Sequence, residues 1–454
     1  MSLVLSSASG AVKSTDRFVQ YFDLQMTLGE PLEKILEVEI ERLLPGGVGL
    51  AHAEGLTLFV SLAAPGDVLR VVIDRIQGKV GFASIVDILK PSPVRIEPPC
   101  PYFGRCGGCD FQQLTYEAQL NAKVEIIRDC LHRIAKIDTP LNIPIHPSPN
   151  QWHYRARAMW QVDSNDKLLG YFERGSNRVC DVEYCAVLVP ELQTTLERVR
   201  NEFREATAMD RLRDIEVVAG DEGVSVAPPL AGFKTEIVSR IVGNETYHFS
   251  AEAFFQVNHE LLEPLIAEAL RDANREDDAA TGDAAGEVKG ADKGGAKGES
   301  AIDLYCGVGL FTLPLARRFE RVVGVEGSTR ATKFARSNLE FAKLNNAEVV
   351  TSCMSDWMKQ HARSFGPVDF LLLDPPRAGA ENAVIAGISA LRPARIAYVS
   401  CDPATLARDL KKLIASGYDL DSVVAFDMFP QTHHVETVAH LSSNTPAVGF
   451  SRAP

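Results

Sequence analysis

The amino-acid sequence predicts an α/β protein whose last third contains a doubly wound, mainly parallel sheet. In residues 300–454, six short apolar runs alternate with helical patterns, which is typical of strands joined by helices. In residues 33–89, short β-branched runs are separated by glycine turns, which predicts a small β-barrel. The 454 residues are 46% hydrophobic and 24% charged. That composition suits a globular chain long enough for two to four domains.

The first ninety residues divide into a segment with little pattern and the predicted barrel. Residues 1–30 form an N-terminal extension, and residues 31–90 form the barrel, which we expect to be antiparallel. The barrel contains the runs "LEVEIERLL", "GVGLAHAEGLTLFVSL" and "APGDVLRVVIDRIQ". A proline-rich linker follows, "KPSPVRIEPPC", which is extended and stiff.

Residues 91–255 form a central mixed α/β domain that begins with clustered cysteines. "CPYFGRCGGC" places Cys100, Cys106 and Cys109 at C-x5-C-x2-C spacing. The chain has nine cysteines, an odd number, and its N-terminus lacks the pattern of a secretory signal. We therefore expect a reducing, cytoplasmic location, where clustered cysteines indicate a metal site or catalysis more than disulfides. No uncharged apolar run approaches the roughly 18 residues of a membrane span, so no membrane association is expected.

Residues 256–454 form the predicted domain with the parallel sheet. Near its start, "HELLEPLIAEALRDA" has the apolar spacing of a helix. Residues 274–299, which contain "TGDAAGEVKGADKGG", are rich in Gly, Ala and charge and almost free of large apolar residues. Such a segment buries too little surface to order itself, which predicts a disordered insert.

Polar residues follow the predicted strands of this sheet directly. Ligands of doubly wound sheets bind outside the carboxyl ends of the strands. Tyr305, Glu326, Asp374 and Cys401 each lie at such an end, so we expect them to share one rim. Glu326 ends the strand after the glycine-containing "DLYCGVG", where an acid accepts hydrogen bonds from a ribose diol. No phosphate-binding pattern is present, so a nucleoside cofactor fits, with S-adenosylmethionine the obvious candidate. The alternative is two turn glycines and a solvated glutamate.

Cys401 lies between a strand and a helix that Asp402 and Pro403 open. The positive end of that helix favours a thiolate, whereas the Asp402 carboxylate opposes it, so the direction of the pKa shift stays open. Glu436 lies between apolar neighbours in "HHVETV", where burial makes a carboxylate a better base. The alternatives are an inert buried thiol and one more surface glutamate.

The net charge of −13 weighs against nucleic-acid binding but does not exclude a local basic face. "WHYRARAMW" alternates arginines with aromatic residues, a pattern that suits phosphate contact and base stacking. In it, Arg155 and Arg157 lie among Trp152, Tyr154 and Trp160. An ordinary strand with one solvated face is an equal alternative.

Five motifs in one order resemble the RNA uracil-5-methyltransferase family. The motifs are "FFQVN", "DLYCGVGLFTLPLA", "DPPRAG", "SCDPATLARD" and "DMFPQTHHVE". The resemblance covers nearly the whole chain from residue 32 to residue 442. It is strongest to bacterial large-subunit rRNA enzymes that carry an N-terminal TRAM barrel and an iron–sulfur cluster. It implies a Rossmann-like class I methyltransferase domain behind an OB-like TRAM barrel and a cluster-bearing central domain.

The resemblance also implies a mechanism and site residues. Cys401 would add to C6 of a flipped-out uracil, C5 would accept the methyl group of S-adenosylmethionine, and Glu436 would remove the C5 proton. By the same matching, Gln256, Tyr305, Glu326 and Asp374 would bind the cofactor or organise the site. Asp374 facing the uracil base is the alternative.

For the cysteines, the resemblance implies a [4Fe–4S] cluster held by Cys100, Cys106, Cys109 and Cys185. Without the resemblance, four thiolates fit zinc equally well. Cys180, five residues before Cys185, is an extra cysteine that makes the fourth ligand less secure.

The expected function is therefore S-adenosylmethionine-dependent methylation of uracil C5 in structured RNA, with 23S rRNA the expected substrate. The alternatives are the same reaction on tRNA, and a non-catalytic RNA-binding protein on a methyltransferase scaffold. A DNA cytosine methyltransferase fits less well, because those enzymes carry the cysteine in a different motif. No obligate protein partner is evident.

Overall fold

The computed structural model describes residues 34–137, 142–205, 212–230, 232–273 and 298–444. The predicted N-terminal extension and residues 274–297 of the predicted insert lie outside these ranges. Residues 298 and 299, the last two of that insert, instead begin a strand. Among the described residues, no helix is long and apolar enough to cross a membrane.

Six strands near the N-terminus form one sheet that surrounds its own core. They are β1 (Ile35–Glu39), β2 (Arg42–Leu43), β3 (Gly49–Ala53), β4 (Leu56–Val60), β5 (Val68–Gln77) and β6 (Val80–Lys90). Their order is β1-β5-β6-β4-β3-β2, and alternate residues such as Leu58, Val71 and Ile73 are buried inside. The pairs are antiparallel as expected, except β4 with β6, which are parallel because β5 lies between them in the chain as the crossover.

The central region contains a second, five-stranded sheet covered by one helix. The strands are β8 (Arg157–Asp163), β9 (Leu168–Phe172), β10 (Val179–Asp181), β11 (Asp214–Ala219) and β12 (Val224–Ala227), in the order β10-β9-β8-β11-β12. Helix α2 (Pro190–Glu205) buries Leu192, Leu196 and Val199 against Trp160 and Ile215 of this sheet. A hairpin of β13 (Val238–Val242) and β14 (Glu245–Phe249) follows.

An eight-stranded sheet forms the C-terminal region, in the order β17-β16-β15-β18-β19-β21-β20-β7. Its strands are β7 (Ile145–His146), β15 (Gly298–Leu304), β16 (Phe319–Glu326), β17 (Ala347–Thr351), β18 (Phe370–Leu373), β19 (Arg395–Ser400), β20 (Tyr418–Phe426) and β21 (Glu436–Ser443). The five strands from β17 to β19 are parallel, and β21 runs antiparallel to both β19 and β20. The doubly wound, mainly parallel sheet is thus as expected.

Helices cover both faces of this sheet. They are α3 (Leu262–Ala269), α4 (Thr312–Arg318), α5 (Thr329–Phe341), α6 (Met354–His361), α7 (Asn382–Leu391) and α8 (Pro403–Ala415). Two buried clusters, one centred on residues such as Leu313 and Leu372 and one on residues such as Leu371 and Leu406, fill the two interfaces. Alternation of buried side chains along each strand therefore supplies both cores.

Two elements from the predicted central domain pack onto this C-terminal sheet. Helix α1 (Tyr116–Cys130) contributes Ile126 and Ile127 to the same buried cluster as Leu406 of α8. A π-helical turn (Leu131–Ala135) continues α1, and β7 pairs with the sheet through Ala425 and Phe426 of β20. The chain before residue 256 is therefore part of the layer that supports the rim of the sheet.

Candidate active site

The register of the sheet brings the predicted rim residues together. Leu304 pairs with both Val325 and Leu373, and Leu373 pairs with Tyr398. Tyr305, Glu326, Asp374 and Cys401 follow those strands directly, so they lie along the carboxyl edge of four neighbouring parallel strands. The expectation of one shared rim is met.

Glu326 is fixed by the backbone of the glycine-containing turn. The Gly307 N–H donates to its Oε2 at 3.1 Å, and the Ser328 N–H donates to its Oε1 at 2.7 Å. Gly307 has φ +55° and Tyr305 has φ +63°, so the chain turns sharply around the carboxylate. Each oxygen keeps a further lone pair, which is what a ribose diol requires.

Asp303 is a second carboxylate near this turn, and the sequence reasoning missed its importance. Its Oδ2 accepts a 2.5 Å hydrogen bond from the Thr312 hydroxyl, while Oδ1 has no partner among the described residues. Burial, and next the carboxylates of Asp374 and Glu326, raise the pKa of Asp303 to about 8, against the effect of Thr312. An acid inside the apolar run "AIDLYC" is the signal that marks it.

Gln256 is a buried polar residue near the C-terminal sheet. It lies one residue after Phe255. The Phe255 ring lies 6.0 Å from that of Tyr247, whose hydroxyl donates to the Leu310 carbonyl at 2.9 Å. These contacts place Phe255, the residue before Gln256, near the segment that follows Gly309. A polar side chain, several acceptors and an orphaned acid at one rim fit a nucleoside carrying an amino acid.

Cys401 is a partly buried thiol at the start of α8. Asp402 caps this helix by accepting from the Thr405 N–H at 2.7 Å, and Pro403 takes the first turn, as expected. The pKa of Cys401 is raised to about 12, first by burial and next by the Glu436 carboxylate, while Arg377 acts in the opposite direction. The question left open by the sequence is thus answered: the thiol is protonated at neutral pH in the free protein.

Glu436 faces Cys401 from the next strand. Ser400 of β19 pairs with Thr437 of β21, and the Thr437 hydroxyl donates to the Ser400 carbonyl at 2.9 Å. Cys401 follows Ser400 and Glu436 precedes Thr437, so in this antiparallel register the two residues are neighbours. Glu436 is 2% exposed, and its Oε1 has no hydrogen-bond partner in the described part of the chain.

The two carboxyl groups at this end of the rim both favour their protonated form. Burial, and next the charge of Asp374, hold the pKa of Glu436 well above its usual range. Burial and the charge of Glu326 raise the pKa of Asp374 to about 7. Arg377 lowers the pKa of Glu436. It lies three residues after Asp374, and its carbonyl accepts from Thr405 at 3.2 Å. The sequence reasoning used "DPPR" as a motif but gave Arg377 no electrostatic role.

All four predicted cysteine ligands line one cavity of about 220 Å³: Cys100, Cys106, Cys109 and Cys185. Cys180 does not line it; this residue is buried in β10, and its Sγ accepts from the Arg105 Nε–H at 3.2 Å. All nine cysteines lie in the described ranges, and none forms a disulfide.

The cysteine cavity lies beside the segment that precedes Glu436, because Phe429, Thr432 and His434 also line it, and Arg377 lines it as well. Within the described ranges, no three His, Cys, Asp or Glu side chains converge as ligands of a metal ion. Burial raises the pKa of Cys106 to about 11 and that of Cys109 further still, and Cys185 adds to both effects. Cysteine sulfurs that line one cavity are donors of the type that soft metal groups take.

The structure contradicts the interpretation of "WHYRARAMW" as a base-stacking surface. Tyr154 and Trp160 are fully buried, and the Tyr154 hydroxyl donates to the Pro430 carbonyl at 2.9 Å. Arg157 forms an ion pair with Glu216 and donates to the carbonyls of Ala251 and Ala253. The segment leads into a strand on which Trp160 packs against α2, while Tyr154 contacts the Pro430 carbonyl and Arg157 anchors a neighbouring loop.

Comparisons with known proteins identify the relatives of this chain. Residues 291–444 match the family model described as tRNA (Uracil-5-)-methyltransferase. The 23S rRNA (uracil(1939)-C(5))-methyltransferase RlmD of Vibrio parahaemolyticus is 32% identical over 88% of this chain and 94% of its own length. The enzyme of the same name from Alkalilimnicola ehrlichii is 34% identical, covering 89% of this chain and 95% of its own.

One solved structure shares the fold over most of the molecule. It is the Pyrococcus abyssi tRNA (uracil-54, C5)-methyltransferase in complex with S-adenosyl-L-homocysteine. The TM-score is 0.66 at 24% identity, with 89% of this chain and all of that one covered. From the near-full-length similarity to the curated enzymes, together with the rim that carries Cys401 and Glu436, it follows that this chain belongs to the RNA uracil-5-methyltransferase family.

Proposed function

We propose that the protein methylates C5 of a uridine in 23S rRNA, with S-adenosylmethionine as methyl donor. The observation that carries the proposal is the pairing of Ser400 with Thr437, which sets a cysteine beside a buried carboxyl group at the rim of the sheet. The relatives named 23S rRNA methyltransferases, similar over nearly their whole length, support the choice of substrate.

Cys401 supplies the nucleophile in this proposal, and its thiol releases its proton to solvent before the thiolate sulfur forms a bond to C6. Uracil C5 is a poor nucleophile until sulfur adds to C6, which turns C5 and the C4 carbonyl into an enolate. S-adenosylmethionine supplies an electrophilic methyl group, which the activated C5 attacks. Arg377 assists Cys401, because its positive charge lowers the pKa of a thiol that burial has raised.

Glu436 supplies the base. After methyl transfer, C5 carries both a methyl group and a proton, and removal of that proton drives elimination of the Cys401 thiolate from C6. The raised pKa makes the Glu436 carboxylate a strong proton acceptor once it is ionised. Its unpartnered Oε1 leaves one oxygen available to the substrate.

The other rim residues position the cofactor in this scheme. Glu326 accepts from the ribose hydroxyls, since two backbone N–H groups already orient it. Gln256, Tyr305 and Asp374 enclose the remainder of the nucleoside and amino-acid parts. The charge of Asp374 also raises the pKa of Glu436, so Asp374 lies near the base as well as the cofactor site. Contact with the uracil base is therefore the alternative role for Asp374.

Cys100, Cys106, Cys109 and Cys185 hold a [4Fe–4S] cluster in the same proposal. In such a cluster each thiolate binds a different iron, so the sulfurs surround a cavity without converging on one ion. The cavity that the four cysteines share supports the proposal, and the family resemblance is what favours iron over zinc. Its role is to hold residues 100–110 in place, since methyl transfer moves no electrons. A cytoplasmic location follows, where thiols stay reduced and rRNA is present.

The test is to incubate anaerobically purified protein with methyl-labelled S-adenosylmethionine and unmodified 23S rRNA or tRNA transcripts. We expect labelled 5-methyluridine from 23S rRNA with wild type and none with Cys401→Ala. Label in tRNA alone would correct the substrate. Tight RNA binding without label, from cluster-containing protein, would reject the reaction in favour of a binding protein.

A further inference from the structure

The loop of residues 427–435, called the catalytic loop below, carries Glu436 at its end. It joins β20 to β21, and most of its residues are buried. Gln431, near its middle, has φ +68°, a left-handed conformation that is unfavourable for a residue with a side chain. The shape of the loop is therefore imposed by contacts from outside it.

Gln119 of α1 makes the most specific of these contacts. Its Nε2–H donates to the Gln431 side-chain oxygen at 3.0 Å, and its Oε1 accepts from the Gln431 backbone N–H at 2.9 Å. Both residues are almost fully buried, with exposed fractions of 1% for Gln119 and 2% for Gln431. The reciprocal pair fixes the one residue of the loop whose backbone is strained.

Two further residues of the same stretch of chain, Lys123 and Asp110, also contact the loop. Lys123, one turn after Gln119, forms a fully buried ion pair with Asp427 and donates to the Phe429 carbonyl at 3.1 Å. Asp110 accepts from the His433 backbone N–H at 2.7 Å, and its Oδ2 lies 2.5 Å from the His433 ring Nδ1. The loop is thus held at its start, middle and end by residues 110–123.

We propose that Gln119 is a positioning residue that aims Glu436 at the C5 proton. This inference rests on the proposed function. A general base acts only within hydrogen-bond reach of its proton, and displacement by about 1 Å costs roughly 100-fold in rate. The Gln431 carbonyl also accepts from the backbone N–H groups of Asp110 at 3.1 Å and Phe111 at 3.0 Å, so these two bonds remain when Gln119 is replaced. Loss of the Gln119 contact releases the Gln431 N–H and side chain, which lets the strained residue relax and shifts the loop that leads to Glu436.

The proposal predicts a defect in one step only. Cys401 lies between the end of β19 and the start of α8, two elements to which Gln119 forms no hydrogen bond in the described structure. Addition of Cys401 and methyl transfer should proceed, whereas proton removal and release of Cys401 should slow. The signature is a methylated RNA–protein adduct that survives denaturation.

The test compares Gln119→Leu with Gln113→Leu. Gln113 is a matched control, because it is fully buried in the same segment but donates to the Ala63 carbonyl of the N-terminal region, at 3.2 Å. Adduct formation and release of 5-methyluridine are measured in single turnovers, and iron content and unfolding temperature are measured for both variants.

We expect Gln119→Leu to form the adduct at close to the wild-type rate and to release product roughly 10- to 100-fold more slowly. Gln113→Leu should show no excess adduct. Equal loss of adduct formation and release in Gln119→Leu, matching any loss in the control, would overturn the inference and leave a structural role. If wild type itself makes no 5-methyluridine, the proposed function fails instead.

Gln431→Gly tests the same contact from the loop. Glycine adopts a φ of +68° without strain, so this variant removes the side-chain partner of Gln119 and is expected to fold. It should accumulate adduct as Gln119→Leu does. Wild-type release from Gln431→Gly would contradict the proposal even if Gln119→Leu proves insoluble.

Discussion

Replacing Glu436 by glutamine should stop the reaction after methyl transfer. The amide has nearly the size and shape of the carboxyl group but cannot accept the C5 proton. Cys401 still adds to C6, and C5 still takes the methyl group. We therefore expect a covalent complex between the protein and methylated RNA, joined through Cys401.

The size of the effect depends on what else can take the proton. Glu436 is 2% exposed and its Oε1 has no partner in the described structure, so neither bulk water nor a neighbouring base replaces it readily. General bases contribute about 10²- to 10⁴-fold, which is about 3–5 kcal/mol of barrier. Asp374, whose pKa is raised to about 7, is the nearest substitute and sets the residual rate.

Folding should survive this change. The carboxyl group already costs free energy through burial and the charge of Asp374, which together raise its pKa. A neutral amide avoids that repulsion, so the unfolding temperature should equal or exceed that of wild type. A large fall in unfolding temperature would indicate a structural defect, and the slower reaction could then not be attributed to loss of a base.

The assay is denaturing electrophoresis with methyl-labelled S-adenosylmethionine, followed by nuclease digestion and mass mapping of the modified cysteine. Label should stay with the Glu436→Gln protein and should leave the wild-type protein as free 5-methyluridine. Product release by Glu436→Gln at the wild-type rate would refute the assignment of the base. Loss of both adduct and label would place Glu436 before methyl transfer instead.

Three other predictions test the cysteines and the buried ion pair. Cys185→Ser should lose most of the bound iron, whereas Cys180→Ser should keep it, because Cys185 lines the shared cavity and Cys180 does not. Iron content and absorbance after anaerobic purification measure the difference between the two variants. Iodoacetamide near pH 8 should modify Cys353 before Cys401, because only the thiolate reacts and a Ser355 hydrogen bond lowers the pKa of the exposed Cys353. Alkylation of Cys401 should rise as the pH approaches its pKa of about 12. Peptide mass spectrometry measures the alkylation of both residues. Lys123→Met leaves a buried carboxylate unpaired and should cost about 3–5 kcal/mol, seen as a lower urea midpoint.

The rim could be predicted from sequence because one rule governs it. Parallel strands of a doubly wound sheet end at the same edge, so finding the strands was enough to group Tyr305, Glu326, Asp374 and Cys401. Glu436 is different, since it begins an antiparallel strand. Its approach to Cys401 depends on the register of β19 with β21, which no local pattern reveals and which only the family resemblance implied.

Other features depend on contacts between segments far apart in the chain. The alternation in "WHYRARAMW" correctly indicates a strand but not which face is covered, and α2 and the Pro430 carbonyl decide that. β7 has two residues, too few for any periodicity, yet it extends the eight-stranded sheet. The net pKa shift of Cys401 likewise required the burial and the neighbouring charges that only the fold supplies.

Long-range contacts also join the loop that precedes Glu436 to segments outside the region that carries Cys401 and Glu436. The matched family region, residues 291–444, includes Cys401 and Glu436 but neither Gln119 nor Lys123. Lys123 and Asp427 are both fully excluded from water, so separating them would leave two uncompensated buried charges. The N-terminal half is therefore bound to the catalytic loop by an interaction that is costly to break. Loss of the contacts that Asp110, Gln119 or Lys123 make with the catalytic loop should therefore affect proton removal by Glu436 more than addition of Cys401.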